Sequence, residues 1–436
     1  MKNWIHLDLK GIAPDAEHLC EWLEYLHSLG FNGAVLEYDC RVPWETFPGA
    51  GIPVYSRSQV REIAAFGQKI GLEIVPLIQT QGHLEWLLKH PHYRALREGS
   101  ACNELCPLHQ QSEPLIKAWI NEVIDLHPHG QYLHLGSDET WNLATCPKCQ
   151  EQAQKDPRGK MSVYIDHVGR LCRHTLQRGR QPIIWGDMFW REKCPELAAG
   201  LPQGTILINW VYRGGPPFAH HAELSKCGLE VWGASAVQCG SPERTFSAFY
   251  NPLPRLENVL GWHQTGCNLI HTVWGRPNNF SSLYTPWFAL LPVLLAAGNP
   301  ENWQQHSWQP FIVELAQEAM ANFWNCQPLH YLPRLEMLPV ANPFEEQCRR
   351  WLVLALNLAN AFSNLQIMHY HNLQTAIVDR FVGIDPQVYR KYDRDIKRWH
   401  SDLEAWSIAV KVFFADHGLS DAEEFVAGRC AVARIP

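Results

Sequence analysis

The 436-residue chain is poor in charge and carries no long apolar run. Asp, Glu, Lys and Arg make up 19% of it, against roughly 25% in an average soluble protein. The 37 basic residues do not outnumber the 44 acidic ones, and the net charge is −7 with a pI near 6.3. Without a basic excess, the electrostatic footprint of a nucleic-acid partner is missing. The longest apolar stretches, such as Phe288–Ala297, fall far short of the roughly 20 residues that span a bilayer, so no membrane segment is expected. A strand pattern begins at Trp4–Leu9 with no signal-peptide pattern before it, which makes a cytoplasmic location the expectation. There is no His-Glu-x-x-His spacing, no repeat with a period of 20–50 residues and no low-complexity linker. What the chain has in plenty is Trp (19), His (22) and Cys (14). In a chain without a secretory pattern most of those cysteines read as buried thiols. The tryptophans can fill a core, but flat aromatic faces also stack on sugar rings.

Short apolar runs alternate with amphipathic stretches over about 300 residues. The runs are Trp4–Leu9, Gly33–Tyr38, Glu73–Gln79, Gln131–Gly136, Pro182–Trp185, Thr205–Trp210, Leu229–Trp232 and Leu269–Trp274. They are continuously apolar, as strands covered on both faces must be. The stretches Ala16–Leu29, Ser58–Ile70, Pro114–Leu126 and Val163–Arg178 place apolar residues at helical spacing, with Gly71 as a C-cap. Eight strand–helix units predict an α/β fold, a (β/α)8 TIM barrel over 1–300. The weakest part is 211–268, where helical periodicity is poor. Beyond residue 300, Glu345–Leu373 and Gln387–His417 read as long helices. They predict a C-terminal helical region over 301–436, packed on the barrel or on a partner subunit as a homodimer.

Barrel enzymes work at the C-terminal ends of their strands. The expected ends carry Glu37 and Asp39 (strand 2), His83 (strand 3), Asp138 and Glu139 (strand 4) and Trp185 with Asp187 (strand 5). Trp210, Trp232 and Trp274 close strands 6, 7 and 8. Four tryptophans around one mouth would form an aromatic box of pyranose size. The sharpest feature is Asp138-Glu139. Two adjacent carboxylates at an apolar strand end repel each other and resist desolvation, which can keep one neutral and one ionised. An isolated Asp-Glu is more simply a solvated loop with Asp138 capping a helix. Here His134-Leu135-Gly136 precedes the pair and Trp141 follows it. In a strand the two side chains would face opposite ways, so both enter one pocket only where the chain departs from the strand, as Gly136 permits. A retaining glycosidase with a carboxylate nucleophile needs two carboxyls flanking the bond. An adjacent pair suits substrate-assisted chemistry instead.

The segment His134-Leu-Gly-Ser-Asp-Glu-Thr-Trp141 resembles the His-x-Gly-x-Asp-Glu signature of family 20 glycoside hydrolases, the β-N-acetylhexosaminidases. Gln79–Glu85, His6–Gly11 and Leu36–Tyr38 are similar to the short, hexosaminidase D-like branch, and the likeness runs over about 1–290. The resemblance implies removal of terminal β-linked GlcNAc and/or GalNAc with the 2-acetamido group as nucleophile and no cofactor. It implies Glu139 as general acid/base and Asp138 as the acetamide-orienting carboxylate. It implies a tyrosine on the acetamide oxygen, for which Tyr212 is the first choice and Tyr250 and Tyr284 are substitutes. Trp185, Trp210, Trp232 and Trp274 would wall the sugar, and His83 and Asp187 match positions near the acid. Two departures stand out. The hydroxyl-binding Arg after strand 1 is replaced by Lys10-Gly11, and the Trp-x-Glu ending strand 8 by Trp274-Gly275-Arg276. Glu37, Asp39 and Arg276 are the expected replacements in sugar binding, which leaves the gluco or galacto preference open.

Cys102, Cys106, Cys146 and Cys149 form two close pairs that suit a structural tetrahedral zinc, with free thiols or a disulfide as alternatives. Two other readings of the barrel compete with a hydrolase of this family. A catalytically silent amino-sugar-binding protein would have no use for the costly acid pair. A metal-dependent hydrolase would need His and Asp together at several strand ends.

Overall fold

A computed structural model of the chain describes residues 1–10, 13–239, 252–274, 291–321, 332–354, 357 and 386–433. Eight parallel strands close into a barrel in chain order. They are β1 (Asn3–Asp8), β2 (Gly33–Glu37), β3 (Glu73–Leu77), β4 (Tyr132–His134), β5 (Gln181–Trp185), β6 (Ile206–Trp210), β7 (Glu230–Gln238) and β8 (Leu269–Val273). Closure is direct, with Leu7 of β1 beside Leu36 of β2 on one side and Val273 of β8 on the other. This is the expected (β/α)8 barrel.

The period of two along each strand divides the barrel into an inside and an outside. Ile5, Leu7, Ala34 and Leu36 belong to the layer beneath the helices, while Trp4, Val35, Val75, Ile183, Ile208 and Ile270 fill the interior. The inward series on β1 is Trp4, His6, Asp8, and on β2 it is Val35, Glu37. Climbing toward the strand C-termini, the interior therefore turns from apolar to polar.

The helices follow their sequence signals. Asp15 caps Ala16–Ser28 by accepting from the His18 N–H. Ser56 and Gln59 make a reciprocal capping box at the start of Arg57–Ile70, and Gly71, at φ 80°, ends that helix. Ser112–Leu126 and Lys160–Gln177 lie within a few residues of their expected bounds. In the weak segment, Leu253–Gln264 is helical and packs on β7.

One strand end differs from expectation. β7 continues past Trp232 to Gln238. Gly233, Ala234 and Ser235 imitate a turn, but the glycine is needed there because the following helix lies against the strand. A Cβ at Gly233 would come within 2.3 Å of the Trp262 ring. Trp232 therefore sits at the N-terminal floor of the barrel, its ring centroid 4.7 Å from Trp4 and its Nε1 donating to Glu230 at 2.7 Å. It does not wall a sugar at the mouth.

The C-terminal region is helical, with Pro386–Asp416 close to the expected Gln387–His417 and a further helix at Ala422–Ala433. The first expected long helix is present over 343–354; most of its remainder lies outside the described residues. This region docks on the first strand–helix unit. Phe344 stacks on Tyr25 at 4.3 Å, the Asp15 N–H donates to Gly418 O at 2.7 Å, and Arg41 pairs with Asp421 at 2.7 Å. Among the described residues no helix is long and apolar enough to cross a membrane.

Gly233→Val should overpack the β7–helix contact and lower stability by about 1–3 kcal/mol. Urea unfolding reads this out, and an unchanged midpoint would mean that the Trp262 helix does not press on the strand.

Candidate active site

The polar upper layer of the barrel is a connected network. Glu37 is fully buried and accepts from Gln79 Nε2 at 2.9 Å, with His6 Nε2 3.1 Å from its other oxygen. Lys10 pairs with Glu37 and reaches Asp39 at 3.4 Å and Asp8 at 3.6 Å. Buried carboxylates are costly without a cation, and Lys10 supplies one. Glu37 and Asp39 keep none of their side chains exposed, while Lys10 keeps 13%. Glu37 and Asp39, the carboxylates expected to meet sugar hydroxyls, thus stand paired with Lys10. Lys10 is the member of the cluster a ligand reaches first.

After β4 the backbone changes hand. Gly136, Ser137 and Glu139 have φ of 58°, 68° and 50°. Left-handed conformations at the non-glycine positions cost energy and persist only where the surroundings hold them. Here they are held on every side. Thr80 Oγ1 donates to Leu135 O at 2.7 Å, Tyr164 Oη to Ser137 O at 2.9 Å, and the Glu139 N–H to Asp187 Oδ2 at 3.1 Å. Gly82 lets the loop after β3 approach, since a Cβ there would lie 2.3 Å from Asp138 O. His83, at φ 54°, follows it.

This turn brings both carboxylates to one histidine. His83 Nε2 lies 3.2 Å from Asp138 Oδ2 and 3.5 Å from Glu139 Oε2. Asp138 is nearly buried and Glu139 is half-buried. Arg191 Nη2 donates to Glu139 Oε1 at 3.1 Å, and its Nε to Asp187 Oδ2 at 3.0 Å. The Arg191 guanidinium lies 4.2 Å from the exposed Trp141 ring and 4.8 and 5.2 Å from Trp190 and Trp210. Arg191 was not expected from the sequence. The available signal was its place four residues after Asp187 in the short helix Asp187–Arg191. Burial, with Asp138 close by, pushes the Asp187 carboxyl up to about 7. Burial, with His6 beside it, holds the His134 imidazole down at about 3, so His134 is neutral. It accepts from the Gly136 N–H at 3.0 Å and braces the start of the turn.

Three of the four expected tryptophans do gather at the mouth. Trp185 lies 5.9 Å from Trp274, and Trp210 stacks on Tyr212 at 5.0 Å. Trp274 Nε1 donates to Tyr212 Oη at 3.1 Å, and the Thr272 side chain hydrogen-bonds the same phenol. Trp185 is buried and forms the base; Trp210 and Trp274 are half-buried. Arg276, Tyr250 and Tyr284 lie outside the described residues.

Among the described residues, two groups have the donor atoms of a metal site. His83, Asp138 and Glu139 are one, with Arg191 on the other carboxylate oxygen of Glu139. The other is Glu98, Cys106, Cys146 and Cys149. Cys102, expected in that set, is exposed and stands apart from it, and Glu98 takes its place.

The site sets two carboxyls side by side on one histidine, against an aromatic wall. Comparison with known proteins places the chain in a family. The model of the glycosyl hydrolase family 20 catalytic domain matches residues 33–231. Hexosaminidase D of Bos taurus is 30% identical over 309 residues, covering 66% of this chain and 87% of that protein. Hexosaminidase D of Homo sapiens is 30% identical over 313 residues, covering 67% of this chain and 64% of that protein. The β-N-acetylhexosaminidase from Bacteroides fragilis NCTC 9343 shares the fold, with a TM-score of 0.53 at 19% identity over 74% of this chain and 69% of its own. The chain belongs to glycosyl hydrolase family 20. It is a glycoside hydrolase.

Because Asp187 in the folded chain holds its proton up to about pH 7, the stability this proton contributes is full below the ordinary carboxylate range. That contribution is lost as pH rises toward about 7. The melting temperature of the wild type relative to Asp187→Asn should therefore fall between about pH 4.5 and about pH 7.5. A constant difference would mean that Asp187 is ionised throughout.

Proposed function

We propose that the chain is an exo-acting, retaining β-N-acetylhexosaminidase that removes terminal β-linked GlcNAc and/or GalNAc by substrate-assisted catalysis. The observation that carries the reading is the convergence of Asp138 and Glu139 on His83 from one turn. Two carboxylates on one side of a sugar are poorly arranged for a carboxylate nucleophile on the opposite face. They are well arranged to act on the leaving oxygen and on a 2-acetamido group. The names of the two mammalian relatives support the same substrate class.

In this scheme the terminal sugar rests on Trp274 and Trp210 over Trp185. Asp138 accepts the acetamide N–H, and the Tyr212 phenol donates to the carbonyl oxygen. That oxygen attacks the anomeric carbon as the glycosidic bond breaks, and Glu139 gives its proton to the departing oxygen. An oxazolinium ring results, with its charge balanced by Asp138. Water then attacks the anomeric carbon, returns its proton to Glu139 and opens the ring with the β configuration restored. Asp187 and Arg191 hold Glu139 in position from below. The substrate supplies its own nucleophile, so the scheme draws on no cofactor.

Steady-state hydrolysis of nitrophenyl β-glycosides of N-acetylglucosamine, N-acetylgalactosamine, glucose and galactose tests the reading. Activity is expected on the acetamido sugars alone. Glu139→Gln should lower kcat on the order of 10²-fold or more. Added azide should fail to rescue Asp138→Asn, because Asp138 is not the nucleophile. Brisk hydrolysis of the plain glucoside, or azide rescue, would overturn the mechanism. Inactivity on all four sugars would favour a silent amino-sugar-binding barrel.

A further inference from the structure

We infer that Glu98, Cys106, Cys146 and Cys149 bind one zinc ion, a structural centre separate from the proposed hydrolytic chemistry. Cys106 Sγ lies 3.5 Å from Cys146 Sγ and 3.7 Å from Cys149 Sγ, and Cys149 Sγ lies 3.3 Å from Glu98 Oε2. All four ligand atoms fall within 4.8 Å of one another. In a tetrahedral site with Zn–S near 2.3 Å and Zn–O near 2.0 Å, the S···S edges are about 3.8 Å and the S···O edge about 3.5 Å. The observed edges have that size. A disulfide needs sulfurs about 2 Å apart and joins only two of the three thiols.

A second observation concerns Glu98. Its side chain is buried at 1% exposure, and among the described residues no Lys, Arg or His pairs with it. Its Oε1 accepts the Thr145 and Cys146 N–H groups, both at 2.8 Å, which turns Oε2 toward the thiols. A carboxylate buried without a cation is expensive, and a metal ion is the cation that this arrangement lacks. Three thiolates with one carboxylate form a soft set that selects zinc over magnesium or calcium.

The centre would clamp two loops at the rim of the barrel. The Glu98–Cys106 segment closes on itself through the Arg97–Leu105 bridge. Glu104 in that segment accepts the Asn142 N–H at 2.7 Å, three residues after Glu139. Cys146 and Cys149 lie further along the same chain, at the start of the helix Pro147–Lys155. Zinc would thereby fix the loop that carries the acid.

The full chain, expressed with added zinc and purified without an immobilised-metal column, should hold about one zinc per chain by plasma mass spectrometry. Cys102→Ser should retain it; Cys106→Ser and Glu98→Gln should bind it at least tenfold more weakly. On the wild type, a mercurial thiol reagent should release zinc to a chromogenic chelator, and cobalt added to stripped protein should give the visible bands of a tetrahedral thiolate complex. These readouts do not depend on a variant folding. Zinc-free wild type with no cobalt spectrum would overturn the inference. So would a disulfide among these cysteines in unreduced protein, or full zinc content in Cys106→Ser.

Discussion

The site depends on one reversal of backbone hand at the top of β4. Adjacent side chains on a strand point to opposite faces, so an Asp-Glu pair continuing the β4 geometry would send one carboxylate into the helical layer. The left-handed residues Gly136, Ser137 and Glu139 prevent that. Their strain is compensated by hydrogen bonds from Thr80 and Tyr164, by the Glu139 N–H donating to Asp187, and by the close approach that Gly82 allows. Much of what surrounds β4 can be understood as support for this turn. It explains why a buried Asp187 sits under the Glu139 amide and why a neutral His134 meets the Gly136 amide.

The second constraint is charge. The mouth gathers Asp8, Glu37, Asp39, Asp138, Glu139 and Asp187 in or near a largely dry interior. Lys10 and Arg191 divide the work of compensating them. Lys10 serves the first three, and Arg191 bridges Glu139 and Asp187. Asp187 meets the remaining cost by holding its proton to about pH 7. Arg191 lies over the exposed Trp141 and beside Trp190 and Trp210, so charge compensation and the aromatic rim are built from the same side chains.

The barrel was legible because its strands are covered on both faces and so appear as plain apolar runs between helices with clear caps. The acid pair was legible because two carboxylates after His-Leu-Gly have no cheap structural explanation. Elsewhere the local signal was misleading. Gly233-Ala234-Ser235 imitates a turn, although Gly233 admits Trp262 and Ala234 packs in the barrel interior, and reading it as an end moved Trp232 from the floor to the mouth. Glu98 was missed because a search for cysteine pairs has no reason to weigh a lone Glu, and only the folded loops bring it to Cys149. Glu37 and Asp39 were expected at the sugar. That they are neutralised from above by Lys10 is a three-dimensional fact that strand position alone does not carry.

In the proposed mechanism this turn sets Asp138 and Glu139 to stabilise a cyclised acetamido sugar. The most direct measurement is the affinity of a thiazoline mimic of the oxazoline, compared with that of the free N-acetyl sugar, by calorimetry on wild type and Asp138→Asn. The account predicts that the mimic binds the wild type at least about 10²-fold more tightly than the sugar does. It also predicts that most of this advantage disappears in the variant. Equal affinities for mimic and sugar in the wild type would contradict it.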